Sequence, residues 1–112
     1  MKIAIPVNEK NTESKICEFF GRTNFFLIFD SDTKEYEFVS NIAKDSQGGA
    51  GIKAAQQLID EKVDIVIVTQ LGNNAISLLN ESNIVTYKGI KESSKENISM
   101  YLNNELERFN VM

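Results

Sequence analysis

Glu35-Tyr36-Glu37-Phe38-Val39-Ser40-Asn41-Ile42, followed after four residues by Gln47-Gly48-Gly49-Ala50-Gly51-Ile52, is the stretch whose reading decides the fold. Its first half alternates. Tyr36, Phe38, Ser40 and Ile42 fall on one face and Glu35, Glu37, Val39 and Asn41 on the other, the period of a half-exposed strand. After the glycines the apolar residues recur as Ile52, Ala55, Leu58 and Ile59, which is helical spacing. A chain that changes period here ends a hairpin and begins a run of strand–helix units.

Working outward confirms that division. Upstream, Lys2 to Val7 and Phe25 to Phe29 are short, solidly apolar runs, as expected of strands covered on both faces. Asn8 to Lys15 reads as a loop, and Asp30-Ser31-Asp32-Thr33-Lys34 is turn chemistry leading into the alternating strand. Downstream, Ile65-Val66-Ile67-Val68 reads as a central parallel strand and Gly72-Asn73-Asn74 as the start of a second helix. Ile84 to Tyr87 reads as a fifth strand. Ser93 or Ser94 then caps a last helix with Ile98, Tyr101, Leu102, Leu106 and Phe109 on its apolar face. The expected fold class is α/β: a β1-β2-β3 meander, then α-β-α-β-α, in one domain over residues 1–112. With strand one central, the hairpin on one side and two parallel strands on the other, the topology is ribonuclease-H-like.

Composition narrows the function. The net charge of -4, with no basic stripe, argues against binding nucleic-acid phosphates. No apolar run is long enough for a signal-peptide core or a bilayer span, so a cytoplasmic protein without membrane attachment is expected. There is no histidine, and Cys17 is the single cysteine, which rules out an internal disulfide. Strand one supplies no carboxylate, so the two-metal chemistry of ribonuclease-H-like nucleases is excluded. A cysteine without histidine is more often a packing residue than a nucleophile. No catalytic residue is expected.

Binding residues are another matter. Gly49-Ala50-Gly51-Ile52-Lys53-Ala54 formally fits a dinucleotide fingerprint, but it follows a hairpin strand. Asp64 also opens the next strand, whereas a ribose-binding acid should close it. What survives is an anion site at a helix start, where Gly48, Gly49 and Gly51 leave amide N–H groups accessible. Close packing accounts for the same glycines equally well. Asn8, Gly72, Asn73 and Asn74 are expected to line a crevice where strand order reverses, although helix capping also suits the asparagines. Arg22, beside Gly21, is the best isolated side chain for an anionic ligand.

In order and spacing, these segments resemble the dinitrogenase iron–molybdenum cofactor biosynthesis family. The resemblance is carried by Lys2-Ile3-Ala4-Ile5-Pro6, Phe20-Gly21-Arg22, Gly48-Gly49-Ala50-Gly51-Ile52, Val63-Asp64-Ile65-Val66-Ile67 and Gly72-Asn73-Asn74-Ala75. It implies a non-enzymatic carrier or accessory protein for an iron–sulfur or iron–molybdenum cluster, held near Phe20-Gly21-Arg22 and the two glycine-rich helix starts. It also implies cofactor-assembly proteins as partners, acting on a monomer or a homodimer. Family members often place histidine directly before Phe-Gly-Arg, where this chain has Phe19, so weakened or lost cluster binding is expected. Cys17 remains as the candidate metal ligand, bridging two protomers in a dimer. The alternatives are a module that binds a small anionic metabolite through Arg22 and the glycine-rich helix starts, and an interaction module without ligand.

Overall fold

Side chains of the first strand, β1 (Lys2–Val7), alternate between two apolar layers, which is why its sequence reads as a continuous apolar run. Ile3, Ile5 and Val7 enter one core cluster with Leu27, Phe29, Ile65, Ile67 and Ile98. Ala4 enters the other, with Phe26, Ile28, Val66, Ala54, Leu58 and Leu79. The structure is a computed structural model and describes residues 1–109. Its remaining strands are β2 (Phe25–Asp30), β3 (Glu35–Ser40), β4 (Ile65–Val68) and β5 (Val85–Lys88). The helices are α1 (Ala50–Asp60), α2 (Asn73–Glu81) and α3 (Ser94–Leu102).

The sheet order is β3-β2-β1-β4-β5. β1 is antiparallel to β2 and parallel to β4, and β4 is parallel to β5. This is the ribonuclease-H-like arrangement expected from the sequence. Pro6 is tolerated in a central strand because pairing with β4 covers only Ile3–Ile65 and Ala4–Val66. Beyond Ala4, a missing N–H on that side breaks no ladder. α1 and α2 pack together on one face of the sheet, and α3 covers the other through Ile98.

Local chemistry fixes the joints. Asp30 Oδ1 accepts from the Asp32 N–H at 2.9 Å, closing the β2–β3 turn. That bond, with a second from the Thr33 N–H, holds the half-buried Asp30 carboxyl below the usual carboxylate range. Asp64 accepts the Lys2 N–H at 2.9 Å, and its own N–H donates to the Lys2 carbonyl, so it sets the register of β1 and β4.

Four elements differ in their boundaries from the expected ones. β2 runs one residue further, to Asp30, which pairs with Lys2 and Glu35. β3 stops at Ser40, because Asn41 turns inward and its Nδ2 donates to the carbonyls of Gly21 and Thr23, both at 3.0 Å. β5 runs from Val85 to Lys88, one residue later than expected. α3 ends at Leu102, short of Leu106 and Phe109. Asn104 there takes a left-handed conformation (φ 60°), with its N–H donating to the Tyr101 carbonyl and the Glu105 N–H to Met100. The released chain still partly buries both residues: Leu106 packs on the α3-side cluster and Phe109 on the other. There it runs beside β5, with the Phe109 N–H donating to the Thr86 carbonyl at 2.9 Å.

Candidate functional site

Because β1 and β4 are parallel, their carboxyl ends leave the sheet on the same side, where strand order reverses. After β1 the chain loops out and returns along its own strand. Val7 bridges Ile16, and the Cys17 N–H donates to the Pro6 carbonyl at 2.8 Å. This delivers Glu18 and a short 3-10 turn, Phe20–Arg22, to the end of the sheet. The segment after β4 delivers Gln70, Leu71 and Gly72. Together with Gly51 of α1, these residues enclose a crevice of about 370 Å³, lined by Glu18, Phe20, Gly21, Gly51, Gln70, Leu71 and Gly72. Hollows of about 650 and 580 Å³ lie at opposite ends of the β2–β3 hairpin. Size alone does not select a site; the crevice is the one that meets two helix starts.

Gly21 is what lets the walls approach. A Cβ at that position would lie 2.7 Å from the Gly51 amide nitrogen and 2.9 Å from the Ala50 carbonyl carbon. Gly51 faces Ala75 of α2, where a Cβ would find ordinary contact at 3.7 Å. Gly49, the residue before α1, is left-handed at φ 65°. The close-packing and anion-site readings of these glycines thus separate by position. Gly21 is demanded by packing and Gly49 by its dihedral, while Gly72 has open space around it.

The three helix starts differ in a way that bears on chemistry. α3 is closed: Ser93 Oγ accepts the Glu96 N–H at 3.1 Å, while the Ser94 and Lys95 N–H groups donate to the carbonyls of Ser14 and Thr12. α1 and α2 follow Gly49 and Gly72, carry no side-chain cap and have no acidic residue in the first turn. These are the two helices that border the crevice. Their first-turn amides and the positive ends of their dipoles are left for something else to satisfy. Thr69 Oγ1, immediately after β4, is buried without a hydrogen-bond partner among the described residues.

Of the residues expected to bind, the crevice gathers Phe20, Gly21, Gly51 and Gly72. Gly48 and Gly49 precede α1 and stay outside the lining, while Asn73 and Asn74 are exposed in the first turn of α2 without capping it. Asn8 instead pairs with Asn24, whose Nδ2 donates to its carbonyl at 3.0 Å. Arg22 is engaged through one nitrogen: its Nη1 donates to the carbonyls of Lys44, at 3.0 Å, and Ser46. Cys17 is buried, its thiol 3.8 Å from the Phe19 carbonyl. Among the described residues, no three His, Cys, Asp or Glu side chains converge as a metal site. Sequence reasoning missed Glu18, Gln70 and Leu71. The order-reversal rule that selected Gly72 also covers its two predecessors, whereas Glu18 carries no signal beyond its place beside Phe20-Gly21-Arg22.

Comparison with known proteins bears on what this crevice serves. The sequence profile described as dinitrogenase iron-molybdenum cofactor matches residues 1–104. The chain belongs to that family. It is 30% identical over 112 residues to protein MJ0580 of Methanocaldococcus jannaschii, itself described as uncharacterized, covering 97% of this chain and 92% of that protein. Among solved structures, TM1290 from Thermotoga, provisionally described as a NifB protein, superposes with a TM-score of 0.86. It is 27% identical, over 99% of this chain and 95% of that one. The apo form of the orange protein from Desulfovibrio gigas gives a TM-score of 0.91 over 96% and 92% of the two chains. At 23% identity, that likeness concerns the fold. The family's fold is therefore present over essentially the whole described chain.

Proposed function

We propose that this protein is a non-catalytic carrier or accessory protein of metal–sulfur cofactor assembly, and that it holds its cargo as an anion in the crevice between α1 and α2. One observation carries the reading. Of the three α-helices among the described residues, only the two whose N-termini border the crevice lack a capping side chain and a first-turn acid. Membership of the iron–molybdenum cofactor family supplies the cargo class.

The donor chemistry decides how the cargo is held. With no histidine in the chain and Cys17 buried, the crevice does not suit a metal ligated by protein imidazole or thiolate. It suits a cluster whose own sulfide or oxo ligands accept backbone N–H bonds. A helix dipole contributes about 1 kcal/mol at an exposed terminus, too little alone for stable carriage. Direct N–H bonds to a charged acceptor, at about 2 kcal/mol each, supply the larger share. Glu18 opposes the anion from the rim. Its carboxylate lies 3.4 Å from Lys91 Nζ, which offsets part of that charge. The occupation of Arg22 by two backbone carbonyls weakens the competing reading of a metabolite gripped by that side chain.

The test is anaerobic incubation with iron, sulfide and molybdate, followed by gel filtration. A visible chromophore should travel with the protein, and Cys17→Ala should retain it. A protein that emerges colourless would remove the carrier reading, and a chromophore lost in Cys17→Ala would return the cargo to thiolate ligation.

A further inference from the structure

We infer that Arg22 is a positioning residue: it fixes the N-terminus of α1 against the crevice and does not touch the cargo. The inference rests on the crevice being the binding site.

The loop from Asn41 to Gly49 delivers α1, and its own backbone supplies two turn bonds, from the Lys44 N–H to the Asn41 carbonyl at 3.3 Å and from the Ser46 N–H to the Ala43 carbonyl at 3.0 Å. Lys44, Asp45, Gln47 and Gly48 are exposed. Side chains supply the remaining restraint. Thr23, fully buried, donates through Oγ1 to the Val7 carbonyl at 2.7 Å and so ties the 3-10 turn to the end of β1. Buried Asn41 ties the start of the loop to Gly21 and Thr23, and its Oδ1 accepts the Ala43 N–H at 3.0 Å. Gln57, reaching back from α1, accepts the Ile42 N–H at 3.0 Å and donates to the Ser40 carbonyl at 2.8 Å. These contacts stop at Ala43. From there to Gly49, among the described residues, the side-chain bonds from outside the loop are those of Arg22 to the Lys44 and Ser46 carbonyls and of Lys53 Nζ to Ser46 Oγ at 3.3 Å, beside the helical bond of the Lys53 N–H to the Gly49 carbonyl at 3.0 Å.

The geometry explains why the restraint matters. Gly21 already sits against the backbone of Ala50 and Gly51, so the 3-10 turn and the first turn of α1 form one wall of the crevice. Arg22 is the next residue on that turn and clamps the loop feeding the same helix. Without the clamp, Lys44 and Ser46 lose the bonds that tie their carbonyls to the 3-10 turn. The left-handed Gly49 then adds freedom at the point where the first-turn amides must be aimed. Through Nη1, which donates to both carbonyls, the guanidinium acts on the backbone it holds.

Amide exchange by NMR and tetrathiomolybdate titration, on wild type, Arg22→Ala and Arg22→Met, test this. Arg22→Met keeps the aliphatic stem and guards against a variant that misfolds. Exchange at Lys53 to Ala55, the first intrahelically bonded amides of α1, should rise about tenfold in the ligand-free variants while the β4 amides stay protected. Affinity for tetrathiomolybdate should fall about tenfold, with the salt dependence of binding unchanged. Unchanged exchange at Lys53 to Ala55 would overturn the inference, as would an affinity loss that also flattens the salt dependence, which marks a direct charge contact. If wild type binds no tetrathiomolybdate, the carrier reading fails, and the exchange data still decide whether Arg22 positions α1.

Discussion

Gly21 and Gly49 are both glycines of the family pattern, but they are there for different reasons, and substitution separates them. Alanine at 21 drives a methyl into the backbone of Ala50 and Gly51, where no side chain can move aside, so Gly21→Ala should destabilise by about 3 kcal/mol and weaken cargo binding. Alanine at 49 meets open space and suffers only the left-handed dihedral, so Gly49→Ala should cost about 1 kcal/mol. Urea denaturation checks both; equal costs would contradict the packing argument. Glu18 yields a prediction of opposite sign. Glu18 lines the crevice and its negative charge opposes an anion there, so Glu18→Gln should tighten tetrathiomolybdate binding several-fold, with the gain shrinking as salt is raised. Isothermal titration at two ionic strengths reads this directly. Neither Glu18 nor the engagement of Arg22 was legible in the sequence. Both depend on which loop carbonyls and lysines the fold brings near, and no spacing rule encodes that.

Among the secondary-structure elements, the strands were the most legible. Two-sided burial leaves the continuous apolar runs of β1, β2 and β4, and a change of period marks the start of α1. Helix ends were harder. Each helix is stopped by a non-glycine residue in the left-handed region: Lys62 at φ 61°, Asn83 at 63° and Asn104 at 60°. Asparagine tolerates that conformation, but it also suits helix starts and turns, so it does not announce a stop. The overlong expectation for α3 comes from this, since Leu106 and Phe109 keep helical spacing beyond a helix that Asn104 has already ended. Lys62 is the least suited of the three. Its N–H donates to the Ile59 carbonyl at 3.0 Å and the Val63 N–H to Leu58 at 3.1 Å, bonds a glycine would keep. Lys62→Gly should therefore stabilise the protein by about 1 kcal/mol, read as a rise in melting temperature. A fall would show that the lysine side chain contributes more than its dihedral costs.

For the whole molecule, topology makes the site. Placing β1 beside a parallel β4 brings two loops and two helix starts to one end of the sheet, and that order was readable because a meander precedes the strand–helix units. α3 lies on the other face, its start closed by Ser93 and by carbonyls of the loop after β1. The same loop leads on to Cys17 and Glu18. Among the described residues, one α-helix therefore has its first amides bound within the protein, and two have uncapped starts that border the crevice. The most direct test of that division is a ¹⁵N-resolved NMR titration with tetrathiomolybdate. The account predicts that the largest shifts fall on the amides of Gly21, Ala50, Gly51, Gly72 and Asn73, with those of Ser94, Lys95 and Glu96 unmoved. Shifts centred on Cys17 or on the α3 start, with the α1 and α2 amides silent, would contradict it.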